Sequence, residues 1–334
     1  MSVASEIARL QTAKANIKTS IENKGVTVGD GTIDTYASKI DEISTSSAVV
    51  GTKSITSNGT YKAVDDNLDG YSEVEVACGK YAPRIISFDS YQGSELNEEI
   101  ENLDTSNLTS TKGMFSNCSY LTDLDLSNFD TSNVINMNSM FNSCNKLTTL
   151  DLSNFDTSKV TNFSSMFYSC SSLTTVPQLD TSKGTYFSSM FYQCFKLTTV
   201  PQLDTSKGTD FGSMFYNSIK LTTVPQFDTS NGTNFGSMFG RCFSLTDFGG
   251  LENLGQAYST TQSANNYRYK LDLSNCTALT EQSLINVLTN LYDIKTKGCK
   301  AQQVILGTTN LAKLTSEEGQ TALSNAQAKG WTVS

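Results

Sequence analysis

The sequence predicts an α/β solenoid, similar to leucine-rich repeats in its coils of 24–26 residues, because two markers recur in register. A Met-Phe pair begins at Met114, Met140, Met166, Met190, Met214 and Met238. An Asp-Thr-Ser triplet begins at Asp104, Asp130, Asp156, Asp180, Asp204 and Asp228. Both markers advance by 26, 26, 24, 24 and 24 residues. Repeats of this period bury their apolar faces by stacking on one another.

Each coil combines a predicted strand, a polar turn and a predicted helical segment. Residues 147–152, Leu-Thr-Thr-Leu-Asp-Leu, alternate in a way that favours a short strand with inward leucines. The Asp-Thr-Ser segment is typical of a turn. In residues 163–170, the Phe, Met and Cys residues recur at spacings of three and four, which predicts one face of a helix. We therefore expect inner columns of Leu, Phe, Met and Cys.

The 24-residue units are shorter because Leu-Asp-Leu-Ser-Asn-Phe becomes Val-Pro-Gln-Leu. Pro177, Pro201 and Pro225 carry no N–H group, so strand pairing should end at these positions. We expect a shorter strand and a local change of curvature in these coils.

The repeat pattern, Asp-Thr-Ser-x-Val-x-x-Phe-x-x-Met-Phe-x-x-Cys-x-x-Leu-x-x-Leu-Asp-Leu-Ser-x-Phe, is clearest from Leu121 to Leu173. It resembles the BspA-like leucine-rich repeats of bacterial surface proteins. The 24-residue units depart from it through Pro-Gln and through Gly184, Gly208 and Gly232 in place of Val. The resemblance implies a solenoid used for adhesion, with no known catalysis.

Four segments are predicted along the chain. Residues 1–45 form a helical attachment or oligomerisation module, residues 50–79 a small β module, residues 80–250 the solenoid, and residues 251–334 a degenerate repeat with a C-terminal α/β cap. Within the first segment, residues 5–10 and 25–40 resemble the N-terminal part of phage tail-fibre and receptor-binding proteins.

The β module contains a loop from Asp65 to Gly70 that resembles the start of a calcium loop. Val76 occupies the twelfth position, where such a loop requires a bidentate Glu. A solvated hairpin loop is therefore the favoured interpretation, and we predict no metal site.

Composition argues against several functions. The net charge of -9 argues against nucleic acid and anionic membranes as partners. No stretch has the length and apolarity of a membrane helix, and residues 1–10 lack the pattern of a secretory signal. The chain contains no histidine, which removes the commonest general base. The recurring aspartates occupy equivalent turn positions, so we predict no catalytic residues and no cofactor.

Cysteine occupies one repeat position at Cys118, Cys144, Cys170, Cys194 and Cys242, and Ser218 stands at the remaining member. A disulfide or metal framework would favour closely paired ligands such as Cys-x-x-Cys, which do not occur. A column of small buried thiols is the favoured alternative. Free thiols are typical of folding in a reducing cytoplasm.

Three outward rows are candidate binding residues, and each has a structural alternative. Hydroxyls of Thr149, Thr175, Thr199 and Thr223 could bind a glycan or form a plain solvated face. Tyr168, Tyr192 and Tyr216 suit sugar or protein recognition, or could pack on the neighbouring turn. Phe195, Ile219 and Phe243 follow the cysteine position, where exposed apolar groups would mark a contact patch.

These observations predict non-enzymatic adhesion by a phage or phage-derived tail receptor-binding protein in the virion, at the tail tip or fibre. The partners would be a bacterial surface glycan or protein, other tail or baseplate proteins through residues 1–45, and copies of the chain in a homo-oligomer, by default a trimer. A bacterial cell-surface BspA-like adhesin is the alternative. A glycan hydrolase built on a solenoid is a third, less favoured class.

Overall fold

A computed structural model describes residues 88, 90–91, 96, 100, 103, 105–261, 263 and 266–334. The predicted helical module at residues 1–45, the β module at residues 50–79 and the loop from Asp65 to Gly70 lie outside the described residues.

Consecutive repeats pair with one another in parallel. Bridges connect one residue of each coil to its counterpart in the next coil, and the bridged residues are Ser110, Asn136, Asn162, Tyr186, Asp210 and Asn234. Backbones paired in this way lie about 4.8 Å apart. Residues separated by one repeat are therefore neighbours in space. We call residues 105–254 the repeat stack.

The Met-Phe segment of each repeat is a series of tight turns, so the predicted helix is wrong. Ser139, directly before Met140, has a φ of 57°, and its counterparts in the later coils share this left-handed conformation. Met140 N donates to Met137 O within the turn, whereas Phe141 N donates to Met166 O in the next coil. An α-helix bonds its amides internally. Here alternate amides bind the neighbouring coil, and the spacing of three and four arises from turns.

Regular strands in the repeat stack are short and occur in its C-terminal coils. They are β1 (Thr223–Val224), β2 (Phe227–Asp228), β3 (Asp247–Phe248) and β4 (Leu251–Glu252). β1 pairs with β3 and β2 with β4, both in parallel. Pro225 lies between β1 and β2, so the predicted interruption of pairing is confirmed there. The strand expected at residues 147–152 is not formed as a regular ladder.

The interior of the repeat stack contains the predicted columns of Leu, Phe, Met and Cys. In one column the rings stack with centroid separations of 5.4–5.8 Å, and its members are Phe115, Phe141, Phe167, Phe191, Phe215 and Phe239. A second column contains Phe163, Phe187, Phe211 and Phe235. Each ring covers the ring of the next coil, and burying one such side chain stabilises the fold by about 1.5–3 kcal/mol.

The first of these columns begins earlier than the sequence markers indicate. The ring of Phe88 stacks on Phe115 at 5.5 Å, and Phe88 N donates to Met114 O. Leu96 and Ile100 are fully buried. These residues extend the core to Phe88, ahead of the first Met-Phe marker at Met114.

A further coil and an α/β unit follow the repeat stack. Cys276 Sγ donates to Phe239 O, and Thr280 N donates to Thr246 O, so this segment continues the repeat pattern. The elements are a 3-10 helix (Tyr267–Tyr269), β5 (Leu271–Asp272), α1 (Glu281–Thr289), β6 (Gln302–Ile305), α2 (Gly307–Leu311), α3 (Glu317–Ala328) and β7 (Trp331–Val333). The sheet is parallel in the order β5-β6-β7.

The two longer C-terminal helices agree with their sequence signals. α1 buries Leu284, Val287 and Leu288 on one face, as their helical spacing predicts. At the start of α3, the Ser316 hydroxyl accepts a hydrogen bond from Gly319 N, and Glu317 lies in the first turn. This arrangement is a favourable helix N-terminus.

Candidate recognition face

The Asp-Thr-Ser triplets hold each coil in shape and to the next. The Asp156 carboxylate accepts a hydrogen bond from Ser158 N at 3.0 Å, which closes the turn. The Thr157 hydroxyl donates to Asp180 O in the next coil at 2.9 Å. Hydrogen bonds from the Ser158 side chain and N–H lower the pKa of Asp156. The five recurring aspartates in the described part of the chain, Asp130 to Asp228, therefore have the predicted turn role.

The cysteine column is a row of buried free thiols, as predicted. Cys144 Sγ donates to Phe115 O at 3.1 Å, and the Ser218 hydroxyl donates to Phe191 O at 2.7 Å in the same way. Burial raises the pKa of the Cys170 thiol to about 12. The column links neighbouring coils through these hydrogen bonds. Its thiols are buried and are therefore not available to a binding partner.

Tyr168, Tyr192 and Tyr216, which we call the tyrosine stack, lie ring on ring. Their centroids are 4.5 Å and 5.0 Å apart, with interplanar angles of 3° and 14°. A Cβ on Gly240 would lie 2.7 Å from Tyr216, so the outer face of that ring is also covered. Burial raises the pKa of the Tyr192 phenol, and the adjacent tyrosines add to the shift. The faces between these rings are occupied, which favours packing on the neighbouring turn over sugar stacking.

Thr149, Thr175, Thr199 and Thr223 form a row along the outside of the repeat stack. The first three are exposed and Thr223 is half-buried. Thr199 bridges Thr223 in parallel, so these side chains are neighbours. Two of the threonines that precede them have a different role: the Thr174 hydroxyl donates to Thr148 O and the Thr222 hydroxyl to Thr198 O. The row remains a candidate hydroxyl surface for a glycan.

Phe195, Ile219 and Phe243, which we call the apolar strip, occupy one position in three consecutive coils. Phe243 is 50% exposed and Ile219 is 37% exposed, whereas Phe195 is half-buried. The same position holds Ser119, Asn145 and Ser171 in the earlier coils. The strip is an exposed apolar surface made by residues that differ between otherwise equivalent coils.

Cations that the sequence analysis did not select lie beside the apolar strip. Lys196 and Lys220 directly follow Phe195 and Ile219, and all three of Lys196, Lys220 and Arg241 are exposed. Arg241 also lies within electrostatic range of Tyr192, whose pKa it moves downwards against the larger effect of burial. The recurrence of Lys at one repeat position could have identified two of them.

An acidic cleft of about 390 Å³ lies along the 26-residue coils. Asp123, Asp125, Asp151 and Thr149 contribute to its lining. The Asp125 carboxylate accepts a hydrogen bond from Ser127 N at 2.9 Å, and the Asp151 carboxylate makes the equivalent bond. These hydrogen bonds lower the pKa of both carboxyl groups. Two of the cleft acids therefore serve as turn acceptors.

The described part of the chain contains no group of three or more Asp, Glu, Cys or His side chains arranged to hold a metal ion. None of its helices combines the length and apolarity needed to span a bilayer.

The chain matches a known protein family. The sequence profile of a family described as "Mycoplasma protein of unknown function, DUF285" matches residues 86–200 and again residues 174–272, together more than half of the chain. This match is consistent with a BspA-like repeat protein. No curated protein matches the sequence.

Proposed function

This chain belongs to the DUF285 family, and on that premise we propose that its repeats form a solenoid that mediates non-enzymatic adhesion to a bacterial surface. The observation that carries the proposal is the contrast between constant and variable positions. The inner columns change little from coil to coil, with Ser218 in the cysteine column and Met137 in the second aromatic column as exceptions, while the outward position after the cysteine changes from Ser171 to Phe195, Ile219 and Phe243. A scaffold with a locally altered exposed surface is suited to recognition.

The proposal contains no catalytic step. Asp156 and Asp204 accept hydrogen bonds from Ser158 N and Ser206 N, so their carboxylates have a structural role in the turns. An active site needs one asymmetric set of residues, whereas these acids repeat from coil to coil.

The setting we propose is a phage tail or a phage-derived particle. Residues 1–45 would attach the chain to other tail or baseplate proteins, and the repeats would face the bacterial envelope. Tail assemblies are symmetric, so we expect a homotrimer. The resemblance of residues 5–10 and 25–40 to tail-fibre proteins supports this setting.

The second candidate is an adhesin on the bacterial cell surface. The family match favours it, because a match to this family suggests a BspA-like surface repeat protein. The binding chemistry of the repeats would be the same in both settings, and the identity of the particle or cell that carries the chain would differ.

Adsorption to cells tests the adhesion proposal. Purified protein, labelled at low stoichiometry, is titrated onto candidate host cells, and phage attachment is counted at each concentration. Saturable coating that blocks attachment would support receptor binding. Absence of coating on every candidate strain would contradict adhesion. Reducing sugar released from envelope polysaccharide would contradict the non-enzymatic assignment.

The location of the chain distinguishes the two settings, and its oligomeric state tests the proposed trimer. Detection in purified virions supports the tail assignment, and detection in washed cell walls supports the adhesin. Light scattering of the full chain and of a variant lacking residues 1–45 tests the trimer. An unchanged monomer in both samples would contradict oligomerisation through this segment.

A further inference from the structure

We propose that the apolar strip, Phe195, Ile219 and Phe243, binds an amphipathic helix of a partner polypeptide whose apolar face is bordered by carboxylates. This inference rests on the recognition role proposed above and specifies the chemistry of the partner. Four properties of the strip carry it: continuity, polar ends, flanking charge and spacing.

The strip is continuous because the coils pair on both sides of it. Two residues before the strip, Gln193 N donates to Tyr216 O at 2.8 Å in the next coil. Three residues after it, Thr222 N donates to Thr198 O at 2.8 Å. Backbone contacts on both sides fix equivalent residues as neighbours, about 4.8 Å apart in parallel pairing. The three apolar side chains therefore form one surface.

Polar residues end the strip in both directions. Ser171 occupies its position in the preceding coil, where the Ser171 hydroxyl donates to Asn145 O. Thr277 follows Cys276 in the coil beyond Phe243 and is exposed. An exposed apolar surface with polar borders is typical of a protein interface.

The charge beside the strip is opposite to that of the whole chain. Lys196, Lys220 and Arg241 are exposed next to it, although the net charge of the protein is -9. None of these three cations forms a salt bridge with a carboxylate in the described part of the chain. The strip therefore favours a partner that brings carboxylates to its edges.

Spacing favours a helix over an extended peptide. Two coil steps span about 9.6 Å from Phe195 to Phe243. A helix repeats its apolar positions every seven residues, a rise of about 10.5 Å. In an extended strand, residues on one face recur at about 6.7 Å and 13 Å, which fits less well. A helix with apolar residues at i, i+3 or i+4, and i+7 would contact all three side chains.

A polypeptide fits the strip better than a glycan. A glycan needs paired hydrogen-bonding groups, and the strip presents three side chains without polar atoms. The tyrosine stack, with its inner faces already occupied, offers few faces for sugar rings.

The test uses substitutions already present in the repeat. The strip variant Phe195→Ser, Ile219→Ser and Phe243→Ser introduces the residue that occupies this position at Ser119 and Ser171. The control is Tyr186→Asn, which removes a side chain that is 47% exposed in a different row and restores the residue found at Asn162 and Asn234. Lys196→Ser with Lys220→Ser removes two positive charges beside the strip and introduces the residue found at Ser244. Equal melting midpoints establish that the variants fold.

The probe is a helical peptide of about 20 residues with Leu at heptad positions and Glu beside them, compared with a Lys-for-Glu counterpart. Binding to the full chain is measured by calorimetry. We expect the Glu peptide to bind at least about tenfold more tightly. We expect the strip variant to lose this binding, the Tyr186→Asn control to retain it, and the lysine variant to lose the preference for Glu. Equal binding of the two peptides, or undiminished binding by a folded strip variant, would overturn the proposal.

Two further measurements separate this inference from the adhesion proposal. Competition of polygalacturonate with the Glu peptide on the wild-type chain, abolished in the strip variant, would assign the strip to an anionic glycan and overturn the polypeptide assignment. Peptide binding by a chain that adsorbs to no cells would contradict adhesion and leave the strip chemistry intact. Cell adsorption unaffected by the strip variant would support adhesion through another face and contradict this inference.

Discussion

The 26-residue and 24-residue coils share their inner columns but close their outer turns differently. In the longer coil, the Asn154 side-chain amide donates to Leu126 O at 2.9 Å and Phe129 O at 3.1 Å in the preceding coil. In the shorter coil, the Gln178 amide donates to Gln202 O at 2.8 Å in the following coil. In both turns a side-chain amide donates to a backbone carbonyl of a neighbouring coil. The acceptor lies in the preceding coil for the longer type and in the following coil for the shorter type.

The two coil types also fill the space beside the second aromatic column differently. Val160 is buried at this position in a 26-residue coil. In the 24-residue coils, Gly184, Gly208 and Gly232 stand there, and a Cβ on Gly208 would lie 2.3 Å from Phe211 Cζ. In a 24-residue coil the ring therefore takes the space of a Cβ, whereas Val160 and Phe163 are buried together in the 26-residue coil. The two-residue deletion thus changes a side-chain partner and the packing beside this ring, while the inner columns stay in register.

The largest effect is expected from Gly208→Ala. The added methyl group would overlap the Phe211 ring and approach Thr205 O at 3.0 Å, so the ring or the turn must move. We expect a loss of about 3 kcal/mol in the free energy of unfolding, at the upper end for overpacking. Urea unfolding followed by circular dichroism measures it.

Gly113→Ser is the matched control for that substitution. Gly113 has a φ of 64°, and a Cβ there meets nothing closer than 3.9 Å. Ser139 and Ser165 occupy the equivalent position with φ near 56°. We expect a cost of about 1 kcal/mol from the left-handed backbone alone, well below that of Gly208→Ala. A loss as large as that of Gly208→Ala would contradict the packing explanation.

An intermediate effect is expected from Asn154→Ala, compared with Gln202→Ala. Removal of the Asn154 amide leaves Leu126 O and Phe129 O without this donor in a partly buried turn, which should cost about 2 kcal/mol. Both side chains are exposed, but the Gln202 bond to Gln226 O at 2.9 Å is itself exposed, so its loss should cost about 0.5 kcal/mol. Urea midpoints of both variants test the order. Equal costs would show that the two turns are equivalent.

Residue patterns predicted the repeat, the buried columns, the turn role of the aspartates and the interruption at Pro225. They failed for the segment before Cys170, because spacings of three and four arise both from a helix and from consecutive turns. The deciding feature is the left-handed φ at Ser165, a residue type that carries no strong signal for that conformation. The stacking of Tyr192 on its neighbours could not be predicted either. A row of outward tyrosines gives the same sequence pattern whether its rings pack on one another or bind a ligand.

A smaller effect is expected in the cysteine column, which is common to both coil types. Cys170→Ser should cost about 1 kcal/mol, because Ser218 already makes the same bond to a Phe carbonyl in a shorter coil. Burial raises the pKa of Cys170 and Cys242 to about 12, so few thiolates exist at pH 8. Mass spectrometry after iodoacetamide treatment should find both thiols unmodified in the native protein and modified after denaturation. Rapid native modification would contradict their burial.

The smallest effect is expected at low pH for Asp156→Asn with Asp204→Asn. Hydrogen bonds lower the pKa of both carboxyl groups in the folded chain, from an ordinary value of 3.8. Their stabilisation is present above that value and is lost as the pH falls through the lower folded pKa. An Asn side chain can accept the same bond, as Asn136 does from Asn138 N. The variant should therefore lose less stability between about pH 4 and pH 2 than the wild type. Parallel pH profiles would contradict this assignment.

Cell adsorption of the strip variant, measured beside the wild type and Tyr186→Asn, tests the central claim that constant columns hold a variable recognition surface. The three proteins are titrated onto one susceptible strain, with melting midpoints recorded for each. The account predicts saturable adsorption by the wild type and by Tyr186→Asn, and a loss of at least about tenfold in affinity for the serine-substituted strip. Equal adsorption by all three folded proteins would contradict it.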